Sequence, residues 1–214
     1  MSGDPAKPAG LVLAAGAGRR MGTPKALLRL PDGRLLVDRA VDALVEGGCD
    51  PVVVVLGAEA EEVRRTARLS TGVHRDGVVH SRVDTVDNSD WQTGMGSSLR
   101  CGLAALPASV PAVVILLVDT PGVGAAAVAR MAAHATPDRV AMGTHSGRRS
   151  HPVVIGRELW PAVAAAAVGD VGARPFLAAH PELVTEVECD DLLTPEDLDT
   201  LDEWTGWLRR QSQT

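Results

Sequence analysis

The 214-residue sequence contains no tyrosine and a single phenylalanine, Phe176. Ala, Val and Leu must therefore build the core. A surface that grips single-stranded nucleic acid by stacking bases on aromatic rings is disfavoured. Positive charge is also scarce: 21 Lys and Arg stand against 27 Asp and Glu, for a formal charge of −6. A general nucleic-acid surface would be basic, so any anion binding has to be local. The cysteines Cys49, Cys101 and Cys189 are odd in number, far apart and without a Cys-x-x-Cys pair. That spacing argues against a disulfide framework or a zinc site and for buried thiols in a reducing compartment. No apolar run reaches the length a bilayer requires, and the polar segment Met1–Pro8 lacks the apolar core of a signal peptide. The expectation is a cytoplasmic protein with neither membrane nor nucleic acid as partner.

Two familiar phosphate-loop signatures are missing as well. No Gly-x-x-x-x-Gly-Lys-Ser/Thr string occurs. The dinucleotide fingerprint Gly-x-Gly-x-x-Gly fails by one residue between Gly18 and Gly22, and Gly57 stands where a ribose-binding carboxylate is wanted. What is present is Leu11–Arg29, an apolar run opening into a loop with Gly16, Gly18 and Gly22, Arg19 and Arg20, and Lys25. Glycine permits positive φ and close backbone approach, while exposed N–H groups, Arg and Lys supply charge. Such a loop suits a polyphosphate; an ordinary glycine-rich βα turn is the plainer alternative.

Strand-like runs alternate with helix-length amphipathic segments. Strands are expected at Gly10–Ala15, Pro51–Leu56, within Gly77–Val83, at Pro111–Val118, Arg139–Met142, Pro152–Ile155 and Leu183–Val187. Helices are expected at Leu35–Gly47 with Leu36, Ala40, Ala43 and Leu44 on one face, from Glu59 to about Leu69, at Ser97–Leu106 and at Val123–His134. Two more flank Gly169 and Asp170. A last helix starts at Thr194-Pro195-Glu196-Asp197 and packs back through Leu198, Leu201, Trp204 and Leu208. The alternation, with strands apolar on both faces, predicts an α/β fold: a single domain with a mostly parallel, Rossmann-like sheet flanked by helices. Residues 1–9 read as a flexible lead and 10–214 as the domain.

Four segments carry a resemblance to a known family. Leu13-Ala14-Ala15-Gly16-Ala17-Gly18-Arg19-Arg20-Met21-Gly22-Thr23-Pro24-Lys25 resembles the first motif of the pterin and sugar nucleotidyltransferases. Asn88–Leu103, with Trp91, Gly94, Ser97 and Ser98, is similar to a stretch of their molybdenum cofactor cytidylyltransferase branch. Val118-Asp119-Thr120-Pro121 resembles its Asp-x-Pro metal motif, and Gly169-Asp170-Val171-Gly172-Ala173-Arg174 its Gly-Asp-x-Gly-Ala-Arg motif. The four fall in the family's order and cover nearly the whole chain.

The resemblance implies a Mg²⁺-dependent transfer of CMP from CTP to molybdopterin or its molybdenum form, with a molybdoenzyme or its chaperone as a possible downstream partner. It implies Arg19, Lys25 and Asp119 as catalytic residues. Leu13, Ala14, Ala15, Gly16, Gly18, Arg19, Lys25, Gly94, Ser97 and Ser98 would bind nucleotide, with Asp119 and Asp170 on the metal. His151 and Arg174 would face the acceptor. Ala15, where the guanylyl branch usually has glycine, favours CTP over GTP.

The residues by themselves leave several roles open. Asp119, at the end of an apolar strand, is a hard oxygen donor suited to Mg²⁺, but could be a helix N-cap. Asp170 could cap the helix that follows it, and Asp191 rivals it as a second carboxylate. The family's tail often reads Asp-x-Asp-Thr-Pro; here Leu193 replaces the second acid. Either Arg19 or Arg20 could face the phosphates, and Ser97 and Ser98 could be N-cap residues. His151 could be structural, and Arg148 and Arg149 could lie in a solvated loop. A guanylyltransferase, a transferase acting on another phosphorylated metabolite, and a non-catalytic cofactor-handling module are the rival functions.

Overall fold

The apolar run Ala9–Leu13 forms strand β1, and the β-branched run Val52–Leu56 forms β2 beside it in parallel. Every residue of both is buried, as expected of strands covered on both faces. The computed structural model describes residues 6–69, 82–193 and 198–211. The remaining strands are β3 (Val83–Asp87), β4 (Ala112–Leu117), β5 (Val140–His145), β6 (Arg148–Gly156) and β7 (Val184–Glu188). They make one seven-stranded sheet in the order β3-β2-β1-β4-β6-β5-β7. All neighbours are parallel except β6, which runs antiparallel to both β4 and β5. β5 and β6 are joined by Ser146 and Gly147, both at positive φ (50° and 70°), which matches the twist of a tight hairpin.

Alternation along the strands divides the core. Val12, Val54, Val114 and Leu116 face one side and pack with α1 (Leu36–Glu46), α4 (Ala125–Ala132) and α7 (Leu201–Gln211). Leu11, Leu13, Val53, Val55, Val113 and Ile115 face the other, against α3 (Met95–Ala105), α5 (Trp160–Ala166) and α6 (Arg174–Ala179). The expected face of α1 is buried, with Val37 and Val41 beside it. Buried Asp38 holds the start of α1: its Oδ2 accepts the Leu35 N–H at 2.9 Å. Its Oδ1 accepts the Arg68 N–H at 2.7 Å, just past α2 (Ala60–Thr66).

Several sequence expectations need adjustment. The third strand, expected within Gly77–Val83, is Val83–Asp87; residues 70–81 lie outside those described. The strands at 139–142 and 152–155 are longer than expected because hairpin pairing carries them to His145 and back from Arg148. Arg148 and Arg149 therefore sit on a strand, not in a loop. The cap expected at Thr194–Asp197 lies outside the described residues. In α7, Trp204 and Trp207 are buried, whereas Leu201 is 58% exposed. None of the three cysteines is in a disulfide; Cys49 and Cys189 are buried, but Cys101 only partly so. No described helix is long and apolar enough to cross a membrane.

Candidate functional site

β1 and β4 pair up to Leu13 and Leu117, and the Val118 N–H still donates to the Leu13 carbonyl at 3.2 Å. The glycine loop after β1 and the turn carrying Asp119 thus leave the same sheet edge side by side. That edge is the carboxyl end of parallel strands, where open α/β sheets bind ligands. Gly18 has φ +58°, and a Cβ there would lie 1.9 Å from the Thr23 carbonyl oxygen, so only glycine fits the turn. The Met21 N–H donates to the Gly18 carbonyl at 2.8 Å, and the Met21 side chain is buried. One loop thus combines an apolar anchor with an exposed pair, Arg19 and Arg20.

A cavity of about 420 Å³ opens over this loop. Of the residues singled out in the sequence, Leu13, Ala15, Gly16, Gly18, Arg19, Lys25, Gly94, Ser98, Asp119 and Asp170 line it. Ala14 and Ser97 do not. Ala14 is buried in the core on the other sheet face. The Ser97 hydroxyl lies between the carbonyls of Asp90 and Gly94, at 3.0 and 2.8 Å, and the amide of Asn88 at 2.8 Å. Asn88 also donates to the Ser98 hydroxyl at 3.0 Å, so one buried amide fixes both serines.

Lys25 is the electrostatic centre. Its ammonium donates to Asp119 Oδ2 at 2.7 Å and to Asp199 Oδ1 at 2.6 Å. Burial pulls its pKa down, but the hydrogen bonds and charge of the two carboxylates outweigh that and leave it above the usual lysine value. Hydrogen bonding to Lys25, helped by the charges of Lys25 and Arg20, holds Asp199 below the usual carboxylate range. Arg20 reaches Asp199 Oδ2 at 3.3 Å. Arg20 and Arg19 both line the cavity.

Asp119 does not cap α4; Gly124 occupies that position. Its Oδ1 is buried without a hydrogen-bond partner, and the residue lines the cavity together with Asp170 and Asp199. A buried carboxylate oxygen is normally satisfied, so this one fits a divalent cation. Among the described residues no group of three or more metal-ligating side chains is assembled. Mg²⁺ commonly takes one or two carboxylates and completes its shell with phosphates and water, so a sparse donor set is compatible with it. Asp170 lies in a 3₁₀ turn, Gly169–Val171, and does not cap α6, whose N-cap position is Ala173. Its Oδ1 instead accepts the Met95 N–H at 3.3 Å, at the start of α3. Gly94 makes this approach possible: a Cβ there would lie 2.5 Å from the Gly169 carbonyl oxygen. Asp191 is elsewhere, in a two-point ion pair with Arg130 at 2.6 and 2.9 Å.

A second cavity of about 200 Å³ shares Leu13, Met95 and Leu117 with the first. It is lined by apolar side chains such as Leu99, Ile115 and Val153, with Arg149, Ser150, His151 and Arg174 as its polar part. His151 and Arg174 are therefore together, one step from the first cavity. Burial drives the His151 pKa down to about 4, with the Asp119 carboxylate opposing and Arg174 reinforcing the shift. Arg149 is held by Glu186 at 2.7 Å. Sequence reasoning did not assign Trp91, Gln92, Met95 or Asp199 to the first cavity. The first three lie inside the quoted Asn88–Leu103 segment and were within reach; so was Asp199, because Asp197-Leu198-Asp199-Thr200 fits the Asp-x-Asp-Thr part of the tail pattern six residues after Asp191.

The family model for the MobA-like NTP transferase domain matches residues 10–184. The nicotine blue oxidoreductase of Paenarthrobacter nicotinovorans is 41% identical over 202 residues, spanning 91% of this chain and 93% of that protein. The crystal structure of Rv0371c from Mycobacterium tuberculosis H37Rv superposes with a TM-score of 0.77 at 27% identity, covering 96% of this chain and 100% of that one. A structure of Rv0371c in complex with manganese, from the same organism, superposes with a TM-score of 0.73 at 25% identity, covering 95% and 98% of the two chains.

Proposed function

Because the chain belongs to the MobA-like NTP transferase family, we propose that it transfers CMP from CTP to a molybdopterin-type phosphate monoester, releasing pyrophosphate. The observation that carries this reading is the single cavity that gathers Gly16, Gly18, Arg19, Lys25 and Asp119. Glycine backbone and cationic side chains suit the triphosphate, and Ala15 on the cavity wall leaves less room for a purine. The adjoining cavity, with His151 and Arg174 at its polar part, suits the acceptor.

An acceptor phosphate oxygen would attack the α-phosphorus, forming the new P–O bond as the bond to pyrophosphate breaks. A phosphate monoester is largely dianionic at neutral pH, since its second pKa is about 6, so no strong general base is required. Neutral His151 fits that role by orienting the acceptor without taking its proton. Lys25 and Arg19 would hold the phosphates and neutralise charge on the leaving group. A divalent cation, Mg²⁺ on this reading, would sit on Asp119, with Asp170 across the cavity, and supply Lewis acidity to the phosphoryl oxygens.

Pyrophosphate release measured with each of the four nucleoside triphosphates, with and without molybdopterin, tests this. Release with CTP that depends on the acceptor is expected. Preference for GTP would move the chain to guanylyl transfer, and tight nucleotide binding without release under any condition to a non-catalytic module. A second reading has one observation behind it: the 41% identical relative is named for a redox reaction. On that reading the same loop holds the phosphates of a nucleotide reductant. Oxidation of a reduced nicotinamide nucleotide without pyrophosphate release would favour it.

A further inference from the structure

Behind the wall of the first cavity lies a buried network in which the direction of each hydrogen bond is determined. Asn88, 5% exposed, follows β3, and its N–H donates to the Leu56 carbonyl at 2.8 Å. Its Oδ1 accepts the Asp90 N–H at 3.0 Å. That backbone donor fixes which way round the amide sits, since a flipped amide would set N–H against N–H. Nδ2 therefore donates its two protons outward, to Ser97 Oγ at 2.8 Å and to Ser98 Oγ at 3.0 Å. Each hydroxyl accepts from Asn88 and keeps its own proton to donate. Ser97 directs that proton to the carbonyls of Gly94 and Asp90, at 2.8 and 3.0 Å. The Ser98 hydroxyl has no acceptor among the described residues, and Ser98 lines the cavity.

The lining that leads up to Ser98 is uncharged: Ala15, Trp91, Gln92 and Gly94. Ala15 and Trp91 meet at Gly57, where a Cβ would lie 2.7 Å from both the Ala15 carbonyl oxygen and Trp91 Cβ. A flat, neutral ring suits such a wall better than a phosphate does. We propose that Asn88 is a positioning residue that sets the Ser98 hydroxyl as a hydrogen-bond donor to an acceptor atom on the nucleobase. The proposal rests on the nucleotide reading of the cavity. A freely rotating hydroxyl would donate or accept as the ligand required, and would choose nothing. Here Asn88 holds one lone pair, and the proton is left for the ligand. A base that offered a donor could reach only the remaining lone pair and would leave the buried proton unpaired, which is the costly outcome. Selectivity thus comes from a side chain that does not itself line the cavity.

Equilibrium binding to the full chain in Mg²⁺ tests this, with CTP and inorganic tripolyphosphate as ligands. Tripolyphosphate has no base and reports the ionic lining alone. Ser98→Ala removes the donor, and Ser98→Thr keeps it. Asn88→Asp still accepts from the Asp90 N–H but has no proton to give, so the Ser98 hydroxyl turns its own proton inward to the carboxylate. Melting temperatures report folding. In Ser98→Ala and in Asn88→Asp, the ratio of CTP to tripolyphosphate affinity is expected to fall about tenfold, the contribution of one hydrogen bond. The double variant is expected to fall no further, because both changes remove the same donated proton. Ser98→Thr is expected to keep the ratio of the parent chain. An unchanged ratio in Ser98→Ala would overturn the proposal. So would a double variant whose loss is the product of the two single losses, which is what a merely structural Asn88 predicts. With 2′,3′-dideoxy-CTP in place of CTP, a ratio that no longer responds to Ser98→Ala would put the acceptor on the ribose and overturn the assignment to the base. A parent chain that binds neither CTP nor tripolyphosphate would overturn the nucleotide reading itself, and this inference with it.

Discussion

Asp119 and Lys25 share a 2.7 Å hydrogen bond, so a change at Asp119 leaves Lys25 with Asp199 as its remaining counter-charge. Asp119→Asn preserves shape and an oxygen but loses the charge that would hold a divalent cation. Turnover is expected to fall on the order of 10²–10³ while CTP binding stays measurable; pyrophosphate release and a binding isotherm on one sample check it. Full activity would show that the charge of Asp119 has no part in turnover. Lys25 and Asp119 were legible because both lie in short local patterns, a glycine loop and the end of an apolar strand. Asp199 is read only when the tail pattern Asp-x-Asp-Thr is set at Asp197-Leu198-Asp199-Thr200 rather than at Asp191, a choice the hydrogen bond to Lys25, 174 positions away, settles. The adjacent serines show a finer limit. Successive helix positions point about 100° apart, so Ser98 faces the cavity while Ser97 turns to Asp90 and Gly94. Sequence cannot choose between neighbours until the helix phase is known.

At the scale of elements, one buried carboxylate does the work of two caps. Asp38 accepts N–H groups from Leu35 and Arg68, tying the start of α1 to the chain beyond α2. Asp38→Ala strands both donors in a buried place and is expected to cost about 2–4 kcal/mol, read as a lower urea midpoint with unchanged slope. The central strands and α1 were readable because burial on both faces of a parallel sheet imposes an apolar run, and burial of one helix face imposes a 3.6-residue period. β5 and β6 were read short because Gly143–Ser150 is polar and is recruited by hairpin pairing, which leaves little hydrophobic trace. In α7 the expected stripe is correct at Trp204 and Leu208 but fails at Leu201. Helical side chains lean toward the N-terminus, so one at the first position overhangs the surface its helix packs on. Trp207, stacked on Trp204 at 5.5 Å between ring centroids, takes part in the burial instead.

For the molecule as a whole, His151 couples the second cavity to stability. The folded chain keeps its imidazole neutral down to about pH 4, whereas the unfolded chain takes up the proton near the ordinary value of 6.5. Between those values the unfolded state binds more protons, so stability falls as pH drops from 6.5 toward 4 and this contribution levels off below. The loss reaches at most about 3 kcal/mol. His151→Gln is expected to flatten that part of a metal-free stability profile; an unchanged slope would assign it to other groups. A different whole-molecule consequence follows from the charged residues lining the first cavity: Arg19, Arg20 and Lys25 against Asp119, Asp170 and Asp199. They cancel, and the chain around them carries −6. A polyanion in solution therefore meets no attractive field until it is within contact range, and its long-range encounter is faintly repulsive. Electrostatically steered association slows steeply as salt is added. Here the association rate constant of Mg²⁺-loaded CTP, followed by stopped flow, is expected to stay flat or rise slightly between about 20 and 200 mM salt. Capture at a distance plays no part in such a site; affinity has to come from the contacts made inside the cavity.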